Sequence, residues 1–259
     1  MRVLKTEREI GILADAGKIA ATALAWAGRQ AVPGATTGEL DAGVEAIIRD
    51  AGGTPEFKGY HGFPASICAS VNDEIVHGIP GSRRLREGDI ISIDVGVRYK
   101  NFIGDTARTF AIGNVSDSAQ RLMDATRDAL EAAITAANTD GRLSDIARAV
   151  QTVAEDRGYG LVRDYAGHGV GTKMHEDPQV PNYVDDHLLR NDVVLEEGLV
   201  IAIEPMLCTG TGKTRVGSDR WTVYTADGGL SAHFEHSIAF TRKGVRILTL
   251  LDNGEEAAA

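Results

Sequence analysis

The chain has 259 residues, 43% of them hydrophobic and 25% charged, an ordinary globular composition that excludes a disordered or collagen-like chain. Lys plus Arg number 27 and Asp plus Glu 37, a formal net charge of −10, so no overall basic surface invites sequence-specific nucleic acid or anionic lipid. The two cysteines, Cys68 and Cys208, lie far apart, which argues against a disulfide framework or thiolate zinc site and for two reduced, mostly buried thiols.

The N-terminus lacks the apolar core of a signal peptide, and no uninterrupted apolar run approaches about 18 residues. A cytoplasmic protein with no membrane span is therefore expected. Thr6-Glu7-Arg8-Glu9 has the form of a capping box. It opens a helix over residues 6–31, with Ile10, Leu13, Ala14, Gly17 and Leu24 at helical spacing and Pro33-Gly34 as the stop. A second box, Thr36-Thr37-Gly38-Glu39, opens a helix carrying Leu40, Val44, Ile47 and Ile48, ended by Gly52-Gly53. Residues 54–81 read as a Gly/Pro/aromatic segment, followed by strands over 89–98 and 102–112. The pattern then restarts. Helices are expected over 116–138 and 143–157, then strands over 199–204, 222–225 and 233–241. Residues 255–259 read as a frayed tail.

That restart is an internal repeat. Thr36-x-Gly38-x-Leu40 matches Thr139-x-Gly141-x-Leu143, offset by 103, and His61-Gly62 matches His168-Gly169, offset by 107. Glu87-Gly88 and the apolar strand ending at Asp94 match Glu197-Gly198 and the strand ending at Glu204, offset by 110. The expected architecture is α+β, one domain over residues 1–259, with two α-α-β halves at about 6–115 and 116–250. Their carboxylates would face one another across a shared centre.

With a turn at Tyr99-Lys100, Asp94 and Asp105 become direct cross-strand neighbours. Like charges so placed are destabilising, so a shared proton, a nearby Arg98 or Arg108, or a cation must neutralise them. Glu204 ends an apolar strand, where a carboxylate has to be paired, protonated or metal-bound. Glu235 lies opposite the face formed by Phe234, Ile238 and Phe240. His168 is flanked by Gly167 and Gly169, which let backbone approach a ligand closely. Four carboxylates in one pocket call for about two divalent ions, and oxygen donors with one imidazole suit Mn, Co, Fe or Zn.

The ordered set Asp94, Asp105, His168, Glu204 and Glu235 resembles the metal ligands of the methionine aminopeptidase/prolidase group, which has the pita-bread fold. The phrases Tyr60-His61-Gly62-Phe63-Pro64, Ser70-Val71-Asn72-Asp73-Glu74-Ile75-Val76-His77-Gly78-Ile79-Pro80, Gly104-Asp105, Gly167-His168-Gly169, His175-Glu176-x-Pro178, Glu204-Pro205 and Phe234-Glu235-His236 sharpen the resemblance to the type I methionine aminopeptidases. It covers the chain from about Lys5 to Leu250, without the insert between third and fourth ligands that marks type II.

The resemblance implies a metalloaminopeptidase that removes the N-terminal methionine of nascent proteins when the second residue is small. It implies two bound divalent ions, with Asp105 and Glu235 bridging them. It makes Glu204 the general base and acid, and places His77 and His175 on the scissile amide. Tyr60, His61, Phe63, Cys68, Met174 and Trp221 would line the substrate pocket. A transient ribosome contact follows from the family role, and a monomer is the default. The sequence departs from the family in two places: Phe57 stands where a cysteine is common, and Met174 where an aromatic is common. Both keep the pocket apolar. The prolidase-type alternative normally carries an extra N-terminal domain, for which about 85 residues before the first metal-region strand leave no room. A non-catalytic peptide-binding module would have lost its ligands.

Overall fold

The structure, a computed structural model, describes residues 2–251, so the tail at 255–259 lies outside the described residues. In chain order the first half contains α1 (Glu7–Gln30), α2 (Thr37–Asp50), β1 (Thr54–Pro55), a 3₁₀ turn (Tyr60–Gly62), β2 (Cys68–Val71), β3 (Glu74–Val76), β4 (Ile90–Tyr99) and β5 (Phe102–Ala111). The second contains α3 (Asp117–Ala136), α4 (Leu143–Asp156), β6 (Gly160–Leu161), β7 (Gly167–Gly169), β8 (Glu176–Val180) and α5 (Asp186–Arg190). Then come β9 (Val200–Ile203), β10 (Met206–Cys208), β11 (Thr214–Val216), β12 (Val223–Thr225), β13 (Ser231–His233), β14 (Glu235–Thr241) and β15 (Gly244–Ile247).

The helix starts follow from local chemistry. The Thr6 hydroxyl accepts the Glu9 N–H at 3.3 Å, while the Glu9 carboxylate accepts the Thr6 N–H at 2.8 Å. Thr36 and Glu39 repeat the exchange at α2. By length and composition α1 alone among the described helices could cross a membrane, with mean hydropathy 1.3, but 56% of that window is buried inside the fold. Ile10, Leu13 and Leu24 are among its buried residues, and α1 packs on β4 and β5. Each such fully buried side chain contributes about 1.5–3 kcal/mol. The close approach depends on Gly104, because a Cβ there would collide with the α1 backbone at Ala16–Gly17.

A nine-stranded sheet runs in the order β1-β4-β5-β14-β9-β7-β8, with β2 on β4 and β15 on β14. Its pairings are antiparallel. Side chains alternate between faces. On β4, Ile91, Ile93, Val95 and Val97 join the core under α1 and α2. On β9 and β14, Ile201, Ile203, Ile238 and Phe240 join the core under α3 and α4. The opposite parity therefore sends Asp94, Asp105, Glu204 and Glu235 to the other face.

Several sequence expectations need correction. The hairpin turns at Lys100-Asn101, both left-handed with φ of 46° and 71°, so Tyr99 pairs with Phe102. A two-residue turn of this kind sets the register. Asp94 consequently pairs with Ala107 and Asp105 with Gly96. The two aspartates share a face as diagonal neighbours, at about 7–8 Å between positions. The arginines proposed as partners are engaged elsewhere: Arg98 grips Glu56 at 2.7 and 2.6 Å, and Arg108 stacks on Phe234 at 5.6 Å.

Residues 54–81 contain β2 and β3, which the irregular reading missed. All four β2 residues are buried, so no apolar alternation marks the strand. The run 233–241 is broken at Phe234, with β13 pairing β10 in a separate sheet and β14 pairing β5 and β9.

Gly88 and Gly198, paired in the sequence match, share a left-handed backbone with φ of 88° and 89°. The helix pairs of the two halves align differently from the sequence match. Gly34 and Thr37 bond to Leu85 and Arg83, as Asp140 and Leu143 bond to Leu195 and Val193. Thr36 thus corresponds to Arg142, an offset of 106, not to Thr139. The His61–His168 match also fails. Asn72 N–H donates to Ile90 O as Val170 N–H donates to Val200 O, which makes β2 the counterpart of β7. His61 belongs to the 3₁₀ turn, with φ 48°.

Candidate active site

A cavity of about 290 Å³ opens on the carboxylate face of the sheet. Asp94 and Asp105 come from β4 and β5, Glu204 from the end of β9 and Glu235 from the start of β14. Strand pairing lays Cys68, Asp94, Ala107 and Glu235 in one row across the sheet. His168 of β7 completes the floor: its Nε2 lies 3.5 Å from Asp105 Oδ2 and 3.7 Å from Glu204 Oε1. One donor atom each from Asp105, His168 and Glu235 lie within 4.8 Å of one another.

The electrostatics of this floor are those of a cation site. Asp94 Oδ1, Asp105 Oδ1 and Glu235 Oε1 are buried without a hydrogen-bond partner, which is costly for acidic oxygens unless something compensates them. Burial, then the charges of Asp105 and Glu204, pushes the Asp94 carboxyl well above its ordinary range. Burial, then Asp105, Asp94 and Glu204, does the same to Glu235. Burial raises Glu204 to about 8, with His168 opposing and Asp105 reinforcing the shift. Burial also opposes charge on His168, but bonding and charge from Asp105 and Glu204 outweigh it and lift the imidazole to about 9. His168 Nδ1 lies 2.9 Å from Gly169 O. An N–H there donates to that carbonyl and leaves Nε2 as the atom facing the carboxylates, the arrangement that orients an imidazole for a metal. Hard oxygen donors with one imidazole suit divalent cations, and the residues present fit such a group.

The walls carry the other expected residues. The His175 ring lies with its centroid 4.3 Å from that of His168, tilted by 58°, and its Nδ1 is 2.7 Å from the Tyr60 hydroxyl. Burial and the neighbouring His168 lower it to about 4, so it is neutral near pH 7. When the Tyr60 hydroxyl donates to Nδ1, the proton of a neutral His175 sits on Nε2, available as a donor. His77 is held at φ 60°, and burial lowers its pKa. His61 meets the Tyr60 ring edge-on at 4.4 Å, and Phe63 meets Trp221 at 5.2 Å. Cys68 and Met174 complete the lining, and Phe57 joins them on the same apolar cluster as Met174.

The structure adds residues that the sequence reading passed over. Tyr165 lines the cavity with its ring 5.7 Å from His77. His233 Nε2 is 3.6 Å from Glu204 Oε2 and has no hydrogen-bond partner. His233 lies two residues before Glu235, but the break at Phe234 puts the two in different sheets, so strand periodicity does not relate them. Asn182 donates to the Glu204 carbonyl at 3.0 Å, and no local pattern announces it.

The pattern of metallopeptidase family M24 matches residues 11–242. Methionine aminopeptidase 1 of Bacillus subtilis is 46% identical over 249 residues, covering 96% of this chain and 99% of that protein. The crystal structure of methionine aminopeptidase from Thermotoga maritima superposes with a TM-score of 0.93 at 41% identity, covering 96% of this chain and 99% of that one. Prolidase from Pyrococcus furiosus shares the fold at a TM-score of 0.77 and 25% identity, but this chain covers only 66% of it. With its cation-type floor, apolar walls and end-to-end likeness to these enzymes, the chain belongs to metallopeptidase family M24, on the methionine aminopeptidase branch.

Proposed function

We propose that this chain is a type I methionine aminopeptidase, acting in the cytoplasm as one catalytic unit over residues 1–259, with halves at about 6–115 and 116–250. It removes the N-terminal methionine of nascent proteins and peptides when the second residue is small. The observation that carries the reading is the cluster of partnerless buried carboxylate oxygens beneath an apolar cavity. Asp94, Asp105, His168, Glu204 and Glu235 would hold two divalent ions drawn from Co, Mn, Fe or Zn. Such ions, when bound, supply Lewis acidity toward water and the scissile carbonyl.

The chain's own residues do the rest. Glu204 takes the proton of the attacking water and returns it to the departing amine. His175 presents Nε2–H to the oxygen that gains charge, its ring oriented by Tyr60. His77, which lines the same cavity, binds the scissile amide as well. Tyr60, His61, Phe63, Cys68, Met174 and Trp221 receive the methionine side chain and exclude water, and a thioether suits such soft apolar walls. A monomer in transient contact with the ribosome fits this role.

The test is peptide release by the metal-loaded protein. Methionine should be freed from Met-Ala-Ser peptides and not from Met-Leu peptides. Cleavage of X-Pro peptides without methionine release would overturn the assignment in favour of a prolidase-type enzyme.

A further inference from the structure

The N-terminal segment ahead of α1 runs back across the fold to the loop that carries His175. The Lys5 N–H donates to Gly198 O at 2.7 Å, which straps the segment to the second half. The Lys5 side chain then turns inward, 4% exposed, and its Nζ donates to Glu176 Oε2 at 2.5 Å and to Val3 O at 2.7 Å. Glu176 is 8% exposed at its side chain and follows His175 directly. Its other oxygen, Oε1, accepts the N–H groups of Thr172 at 2.9 Å and Lys173 at 3.2 Å. One carboxylate therefore ties down both ends of the loop that presents Met174 and His175. Gly171, at the base of that loop, has no room for a side chain because Glu176 Oε1 and Lys5 Cε occupy the space.

A buried ion pair is weak evidence for stability, since apolar replacements of similar volume often serve as well. This pair has a geometric consequence instead. His175 is fixed by its neighbour's backbone anchors on one side and by Tyr60 on the other. A displacement of about 1 Å at such a group can cost up to about 10²-fold in rate.

We propose that the buried Lys5–Glu176 ion pair is a positioning device for His175, which makes the N-terminal strap a working part of the active site although it touches no substrate. The proposal rests on the aminopeptidase reading above. Its test uses the full-length, metal-loaded protein with a Met-Ala-Ser peptide. The variants are Lys5→Met, Glu176→Gln, the double variant and Lys5→Arg, each checked for metal content and thermal unfolding. The double variant leaves no unpaired buried charge, so it reports even where a single variant fails to fold.

The expected result is a fall in kcat of about 10- to 100-fold in the double variant, with KM and metal content near wild type, and recovery of most of kcat in Lys5→Arg. Folded variants with wild-type kcat would overturn the proposal, as would a loss confined to KM or to bound metal. Wild-type protein that releases no methionine would instead overturn the functional reading.

Discussion

In the N-terminal half, β2 runs beside β4 and sets Cys68 opposite Asp94. In the C-terminal half, the counterpart strand β7 runs beside β9 and brings His168 to within 3.7 Å of Glu204. The frames match, from the helix pair through the glycine at positive φ to the carboxylate strand. What hangs on them differs. The first half supplies two aspartates and most of the apolar wall: Phe57, Tyr60, Phe63 and Cys68. The second supplies two glutamates and the imidazoles of His168, His175 and His233, while the first half contributes those of His61 and His77. A repeated frame can thus place donors from both halves around one centre, while each half specialises.

The sharpest way to break this comparison is to remove a first-half donor that stands against second-half ligands, 3.5 Å from His168. Asp105→Ala should abolish divalent-ion uptake and methionine release together, measured by metal stoichiometry and peptide assay. A folded variant that remains active without metal would contradict the site. Next in size, His175→Ala removes a wall group contributed by the second half and leaves the floor intact. It should lower kcat by about 10²–10³-fold at unchanged metal content. Loss of metal in that variant would move His175 from the wall to the floor.

A smaller effect separates the floor from the walls by pH. Glu204 at about 8 and His168 at about 9 both stand above their unfolded values of about 4.3 and 6.5. Their stabilising contributions are full below those unfolded values and are lost as pH rises through the folded ones. Burial sets His175 at about 4 and His233 at about 3, so their contributions run the other way and are complete above about pH 6.5. The Tm of the metal-free protein should therefore fall between about pH 6.5 and 8, and saturating Mn²⁺ should remove that slope. A metal-free Tm that rises across this window would count against the arrangement.

The smallest effect compares the helix caps. Thr36→Ala removes the side-chain acceptor at α2 and should cost about 1 kcal/mol in denaturant unfolding. Arg142→Ala at the equivalent position of α4 should cost less, because the Arg142 side chain accepts no helix N–H; its backbone N–H goes to Asp145 and its guanidinium makes only a long 3.5 Å bond to the Asp192 carbonyl.

Much of this was legible in the chain itself. The capping boxes at Thr6 and Thr36, the helix periods and the E-G-x-apolar repeat are short-range signals, set by neighbours in sequence. Strand parity alone put Asp94 and Asp105 on one face, and Glu235 opposite Phe234, Ile238 and Phe240. The recurring phrases around His77, His168 and Glu204 pointed to the family before any contact was known. Register was another matter. A hairpin turn one residue further along moved Asp105 from Asp94 to Gly96, because a turn's backbone conformation depends on the strands it joins.

Strands as short as β2 and β7, buried on both faces, carry no periodic signal and exist only through their partners. The break at Phe234 that lodges His233 beside Glu204 is likewise a choice between two sheets. The Lys5–Glu176 pair spans 171 positions, and nothing local relates its ends. Sequence by itself determined which side chains could do chemistry and the four long helices, which depend on residue type and near neighbours, though not the short α5 (Asp186–Arg190). Only the tertiary structure decided which carboxylates stand next to which imidazole, because that distance belongs to the sheet and not to the chain.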